Sequence, residues 1–324
     1  MQQSQQLFEQ RKVQILTPYP VDKAYDYFVP EDMELNLGDY VLVPLGKKEV
    51  MGVVWSLESD DSLDNDKIKY ILKRYDFPAM KEPQRKFVDW VSAYTMYEKG
   101  SVLKMCISSD SAFTPPKKAR INDAPCQIEK VIPNGLMFSA TQSKVANGLV
   151  EIVNENKFSA TLLDGVTGSG KTEVYFEAVA QALRQGKQVL VLLPEIFLSA
   201  QFLDRFERRF GVKPAIWHSD VTPAQKRVTF KGVAEGKTKV VVGARSALFL
   251  PYSDLGLIVV DEEHESSFKQ EEGVLYNARD MAIVRAKLTN IPIILVSATP
   301  SLETISNVRQ GKYRCFELPQ GCRA

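Results

Sequence analysis

The chain has 324 residues, 44% of them hydrophobic and 25% charged, which is the composition of a globular protein of one large or two ordinary domains. No apolar run approaches the roughly 20 residues of a membrane-spanning helix, so a spanning helix is excluded. The balance of 41 basic against 40 acidic side chains neither requires nor excludes nucleic acid, while four cysteines and two histidines without metal-site spacing exclude zinc in this chain.

Residues 1–10, MQQSQQLFEQ, form a polar tail without a signal peptide's basic start and apolar stretch, which implies a cytoplasmic protein. Residues 11–57 are β-rich. VQILTP, AYDYFVP, DYVLVPL and MGVVWSL are short apolar or alternating runs between prolines and glycines, the pattern of a small barrel or sandwich. An acidic loop over 58–66 precedes IKYILKRYD, a further candidate strand. PQRKFVDWVSAYTMYE (83–98) has helical spacing, with Phe87, Val91 and Tyr94 on one face beside Trp90 and Pro83 at the start. Residues 106–136, rich in Pro, Ser, Lys and Asn, are a linker between a first domain (11–105) and a second (137–324).

From about Met137 helices and strands alternate. Helices are expected at 143–155, 173–185, 202–210, 223–235 and 278–288. The strands between them, SATLLDG, QVLVLLP, PAIWH, TKVVVG, GLIVVD and IPIILVSAT, are continuous Val/Ile/Leu runs. Such strands form a parallel sheet covered by helices on both faces, an α/β fold.

GVTGSGKT, from Gly165 to Thr172, fits the phosphate-loop pattern G-x-x-x-x-G-K-[ST] between a strand and a helix, the context that pattern requires. Gly165, Gly168 and Gly170 let the backbone of Val166, Thr167 and Ser169 turn its N–H groups toward phosphate oxygens. Lys171 is expected to reach the β and γ phosphates of ATP, and Thr172 to ligate Mg²⁺. LIVVDEEH (257–264) ends an apolar strand in acids, where open α/β sheets bind ligands. Asp261 is the expected Mg²⁺ partner and Glu262 the residue that positions and deprotonates water. The phosphate loop and Asp261 should meet at neighbouring edges of a single sheet. Ser297 and Thr299 in VSATP fit either a relay of nucleotide state or a strand-to-helix cap.

The set GVTGSGKTEVY, LLPEI, WHS, GARSALFLP, IVVDEEHESSFKQ, YNARDMA and SATPSLET resembles the PriA family of primosomal replication-restart DNA helicases over about residues 137–318. AYDYFVP, GDYVLVPLG and GVV resemble that family's 3′-DNA-end-binding domain over about 12–105. The resemblance implies a RecA-like motor lobe behind a β-rich DNA-end-binding domain, in an ATP-dependent helicase moving 3′ to 5′ on branched DNA. Single-strand-binding protein and primosome loading proteins are implied partners. In the DNA-end pocket Asp26, after Tyr25, matches the acid that reads the terminal base; Gly46 and Lys69 match the family's glycine and lysine. On the residues alone, Asp26 is a turn residue and Lys69 a surface charge. Gln142 matches the family's adenine-contacting glutamine, for which a side-chain amide is suited. Arg245 in GARSA matches a motif facing DNA or nucleotide, and a plain surface arginine fits as well. The segment Phe268 to Tyr276 matches an aromatic-rich loop whose rings stack on unpaired bases. Val274 and Leu275 stand where an aromatic and a basic residue are typical.

Family members continue into a second motor lobe and a zinc-binding, cysteine-rich insertion, and they carry a winged helix where 106–136 is short. The winged helix is expected to be reduced or lost, and the final GCRA to be an arbitrary end. Without a second lobe's arginine, worth a factor of roughly 10³ to 10⁵ in rate, this chain alone should bind Mg-ATP weakly and hydrolyse it poorly.

Overall fold

The computed structural model describes residues 11–59, 64–107, 113, 135 and 137–318. The polar tail, nearly all of the 106–136 linker, part of the acidic loop and the terminal GCRA lie outside them. The chain divides at Phe113 into two compact units, and no described helix is long and apolar enough to cross a membrane.

The first unit holds the four expected strands, β1 (Lys12–Leu16), β2 (Tyr25–Phe28), β3 (Tyr40–Leu45) and β4 (Lys48–Ser56). Val13, Ile15, Tyr27, Val41, Val43, Val50 and Val54 point into one core, as period-two alternation requires. IKYILKRYD, expected as one strand, is two: β5 (Lys69–Tyr70) pairs with β2 and β6 (Lys73–Arg74) with β3, at opposite ends of the order β5-β2-β1-β4-β3-β6. Ile71 N donates to Phe28 O (3.0 Å) and Leu72 N to Leu42 O (2.9 Å). Consecutive residues thus bond both outer strands and close the sheet into a barrel, leaving no long open edge among the described residues.

Helix α1 (Glu82–Thr95) carries Pro83 in its first turn and buries Gln84, Phe87, Val88 and Val91. Tyr94 does not join them; it is 60% exposed and stacks on Trp90 at 4.8 Å. A second helix, α2 (Lys99–Cys106), follows. Phe113 packs on Tyr40, Tyr75 and Phe77, so the unit runs past residue 105.

The second unit comprises α3 (Ala140–Asn154), β7 (Ser159–Gly165), α4 (Lys171–Arg184), β8 (Gln188–Leu192), α5 (Ala200–Phe210), β9 (Ala215–Trp217), α6 (Pro223–Ala234), β10 (Val240–Gly243), β11 (Leu255–Asp261), β12 (Lys269–Gln270), β13 (Tyr276–Asn277), α7 (Ala278–Thr289), β14 (Pro292–Ser297), α8 (Leu302–Arg309) and β15 (Arg314–Leu318). Seven strands pair in parallel in the order β15-β7-β14-β11-β8-β10-β9. Leu163, Val189, Val191, Val259, Ile294 and Val296 pack against α3, α4 and α5. Their alternates Leu190, Ile258, Val260, Ile293 and Leu295 are equally buried on the other face, and α7 contacts β11 and β14. Burial on both faces explains the unbroken apolar runs. The hairpin β12–β13, helix α8 and edge strand β15 are additions to the sequence reading. β15 pairs with β7, and Arg314 grips Glu155 past the end of α3 through two bonds of 2.7 and 2.9 Å.

Candidate nucleotide site and DNA-end site

The phosphate-loop segment joins β7 to α4 at the C-terminal edge of the parallel sheet. Gly168 and Gly170 adopt φ of +81° and +83°, a left-handed backbone that other residues resist. The start of α4 is unlike its neighbours. Side chains of Ser139, Ser199, Thr222, Asn277 and Ser301 cap α3, α5, α6, α7 and α8, whereas α4 begins at Gly170 with no side-chain cap. Its first N–H groups are left for a ligand, at the positive end of the helix dipole. Lys171 is buried, and its Nζ donates to the loop carbonyls of Gly165 (2.6 Å) and Val166 (3.3 Å). Val166, Thr167 and Gly168 form the exposed lip of the loop. The buried Ser169 Oγ has no protein partner.

Asp261 lies at the end of β11, two strands from β7, because β14 runs between them. The two motifs share one sheet edge, as expected, but not adjacent strands. Tyr175 spans the gap: its hydroxyl donates to Asp261 Oδ2 at 2.9 Å. Burial pushes the Asp261 carboxyl up to about 6, opposed by the Tyr175 hydrogen bond and by the charge of Lys171. Glu262 follows with φ of +51°, a strained conformation of the kind that collects at functional sites. Its N–H donates to Asp261 Oδ1 at 3.0 Å. Ser297 Oγ lies 2.8 Å from His264 Nδ1 and accepts from Thr299 N at 3.0 Å, so it both links β14 to the acidic segment and makes a local turn.

These residues fit a magnesium-bound nucleoside triphosphate. An uncapped helix start, an orphaned buried hydroxyl and an amine held by loop carbonyls offer donors to phosphate, and the Asp261 carboxylate, held by Tyr175, and the Thr172 hydroxyl offer hard oxygens to the metal. Gln142 borders the loop: its Nε2 donates to Ser169 O (2.9 Å) while Oε1 accepts from Ser139 N (2.9 Å). The residue is thus part of a helix cap as well as a neighbour of the nucleotide loop.

The sequence reading missed two residues here. Tyr175 stands three positions after Thr172, on the same helical face, and a hydroxyl within an otherwise apolar stripe was the available signal. Glu263 is buried and accepts from Ser301 N, Ser301 Oγ, Thr304 Oγ1 and Arg279 Nη1. Nothing in DEEH distinguishes this anchor from the acids beside it.

Arg245 donates through Nη1 to Lys269 O, securing the first residue of the β12–β13 hairpin. Phe268 and Tyr276 depart from expectation. They are only 1% and 5% exposed, and Tyr276 packs edge-on against Phe249. Neither ring is presented for base stacking in this conformation; the loop's exposed apolar residue is Leu275.

In the barrel, Lys69 Nζ donates to Gly46 O at 3.1 Å, so these two candidates meet. Gly46 has φ of +61°, and nothing lies within 4 Å of where a side chain would start, leaving room for a close approach. Tyr27 holds the adjoining turn through its hydroxyl to Pro44 O (3.1 Å). Asp26 precedes Tyr27, the register partner of Lys69, on β2. Its Oδ1 is buried without a protein partner, and Tyr25 beside it is partly exposed.

Residues 139–308 match the model of the DEAD/DEAH box helicase family, and residues 14–108 match that of the PriA 3′ DNA-binding domain. The chain is 45% identical to the replication restart protein PriA of Rickettsia conorii over 92% of its own length and 45% of that protein's. It is 33% identical to PriA of Haemophilus influenzae over 94% of its length and 51% of that protein's. The chain thus spans about half the length of the curated relatives it matches. The helicase domain of Hef from Pyrococcus furiosus overlays on 56% of this chain and 37% of that one, with 20% identity and a TM-score of 0.42.

Proposed function

The chain belongs to the DEAD/DEAH box helicase family, and from that premise we propose that it forms the fork-recognising and ATP-binding part of a 3′-to-5′ DNA helicase of replication restart. Such an enzyme binds stalled forks and helps reload the replisome, with single-strand-binding protein and primosome loaders as partners. One observation carries the reading: an uncapped helix start, Lys171, Thr172 and Asp261 share the C-terminal edge of one sheet, with the Tyr175 hydroxyl reaching from α4 to Asp261. The match of residues 14–108 to a 3′ DNA-binding domain supplies the substrate class.

Magnesium, when bound, neutralises charge developing on the phosphates. The protein's residues bind and orient. Loop amides from Val166 to Gly170, with Lys171, hold the phosphates, and Thr172 and Asp261 hold the metal. Gln142 presents its amide to adenine. Glu262, beside Asp261, orients a water and takes its proton. Asp26, Gly46 and Lys69 receive the 3′ terminus, where a carboxylate can accept from a base edge.

The test is binding and turnover with forked DNA whose leading-strand 3′ end is free or blocked. Preference for the free end, together with Mg-ATP binding and slow hydrolysis by this chain, is the expected result. Binding to forks that ignores both ATP and the 3′ terminus would replace this reading with that of a DNA-binding module whose ATP lobe is inert.

A further inference from the structure

Tyr175 has no exposed surface. A phenylalanine would fill that position without a polar atom to satisfy, and a buried hydroxyl is costly unless it is bonded. Here it is bonded: it donates to Asp261 Oδ2 at 2.9 Å. The spacing of Thr172 and Tyr175 in α4 puts both on one face, while Asp261 arrives from β11 across the width of β14. The ring is fixed edge-on against Phe176 at 5.2 Å. The second oxygen of Asp261 is held by Glu262 N at 3.0 Å, so the carboxylate is gripped at both atoms.

We propose that Tyr175 is a positioning residue for the metal, its hydroxyl reaching from α4 to Asp261 so that the metal-binding carboxylate is set before nucleotide arrives. Asp261, accepting from the tyrosine hydroxyl, keeps one rotamer. A metal ligand at the end of β11 is thereby tied to the helix that carries Thr172. Outer partners of this kind orient metal ligands and commonly alter metal affinity about 10- to 100-fold when removed. The inference rests on the nucleotide-site reading above.

The experiment is a Mg²⁺ titration of fluorescent ATP-analogue binding by the full chain and its Tyr175→Phe variant. The unaltered chain should bind the analogue more tightly as Mg²⁺ is added. Y175F should need about 10-fold more Mg²⁺ for the same tightening, with metal-free affinity within about 2-fold of the unaltered chain. A Mg²⁺ midpoint moved by less than about 2-fold, or moved to lower concentration, overturns the inference, the latter because the hydroxyl would then compete with the metal. Absence of analogue binding by the unaltered chain overturns the nucleotide-site reading itself, and the inference with it. A second measurement keeps the native packing: meta-fluorotyrosine at position 175 should shift in the fluorine NMR spectrum when Mg²⁺ is added to the nucleotide-bound chain. A silent resonance assigns the residue to packing alone.

Discussion

Arg279 reaches from the start of α7 to Glu263, with Nη1 3.2 Å from Oε2, and the Glu263 side chain is entirely removed from solvent. The same guanidinium donates to Ser301 Oγ at 2.7 Å. One ion pair therefore ties the end of the acidic strand segment to the first turns of both α7 and α8. Glu262, the neighbour in the left-handed conformation, is held between this anchor and Asp261.

Breaking a buried pair from one side strands the other charge. Arg279→Ala should cost about 3 kcal/mol of stability, since Glu263 would remain buried with only neutral donors. The urea midpoint of the chain measures it. A loss below about 1 kcal/mol would show that the pair behaves as a solvent-screened surface bridge.

Asp261 yields a prediction with a definite sign. Burial raises its folded pKa from 3.8 to about 6, so the folded chain holds a proton that the unfolded chain releases at lower pH. Its favourable contribution is fully present below about pH 4 and is lost as pH rises through about 6. Asp261→Asn should therefore stabilise the ligand-free chain at pH 7 by about 1 to 3 kcal/mol, an order-of-magnitude figure from 1.36 kcal/mol per pKa unit. The advantage should fade as pH falls from 6 to 4, in paired melts of the two chains. Equal stability at pH 7 would mean that neighbouring donors fully compensate the charge.

Lys171 is buried with its amine on loop carbonyls. Lys171→Ala should weaken Mg-ATP binding at least about 10-fold, as expected when a charged phosphate contact is removed. Binding of forks without nucleotide should be unchanged. Calorimetry with ATP and anisotropy with labelled forks separate the two. Loss of fork binding would contradict the assignment of DNA-end recognition to the barrel.

Much of the second unit was legible because its strands are buried on both faces: VVVG and LIVVD have no other comfortable place. The phosphate loop was legible because its glycines answer a local backbone demand. What the sequence hid depends on contacts between distant segments. IKYILKRYD looks like one strand, yet closure of the barrel divides it between β2 and β3. β15 is only five residues long, with a single fully buried side chain, Leu318. Phe268 and Tyr276 looked available because aromatics in a polar loop have no periodicity to reveal a core face, and their burial is set by packing such as that of Phe249 on Tyr276. Tyr175 and Glu263 gained their roles from partners 86 and 38 residues away.

The barrel gives the last prediction. Asp26 Oδ1 is buried without a protein partner, an arrangement that costs stability unless a ligand completes it. Lys69 is tied to the Gly46 carbonyl, beside open space. Asp26→Ala should lower preference for a free 3′ end over a blocked one by about 10-fold, the scale of one good base-edge contact. Nucleotide binding should not change. Removing an unsatisfied buried acceptor should also leave the melting temperature unchanged or slightly higher, because no protein hydrogen bond is lost at Oδ1. Competition between free-ended and 3′-phosphorylated forks reads the preference, and thermal melting reads the fold. An undiminished preference in a folded variant would remove Asp26 from the pocket and leave the Lys69–Gly46 turn to account for end recognition.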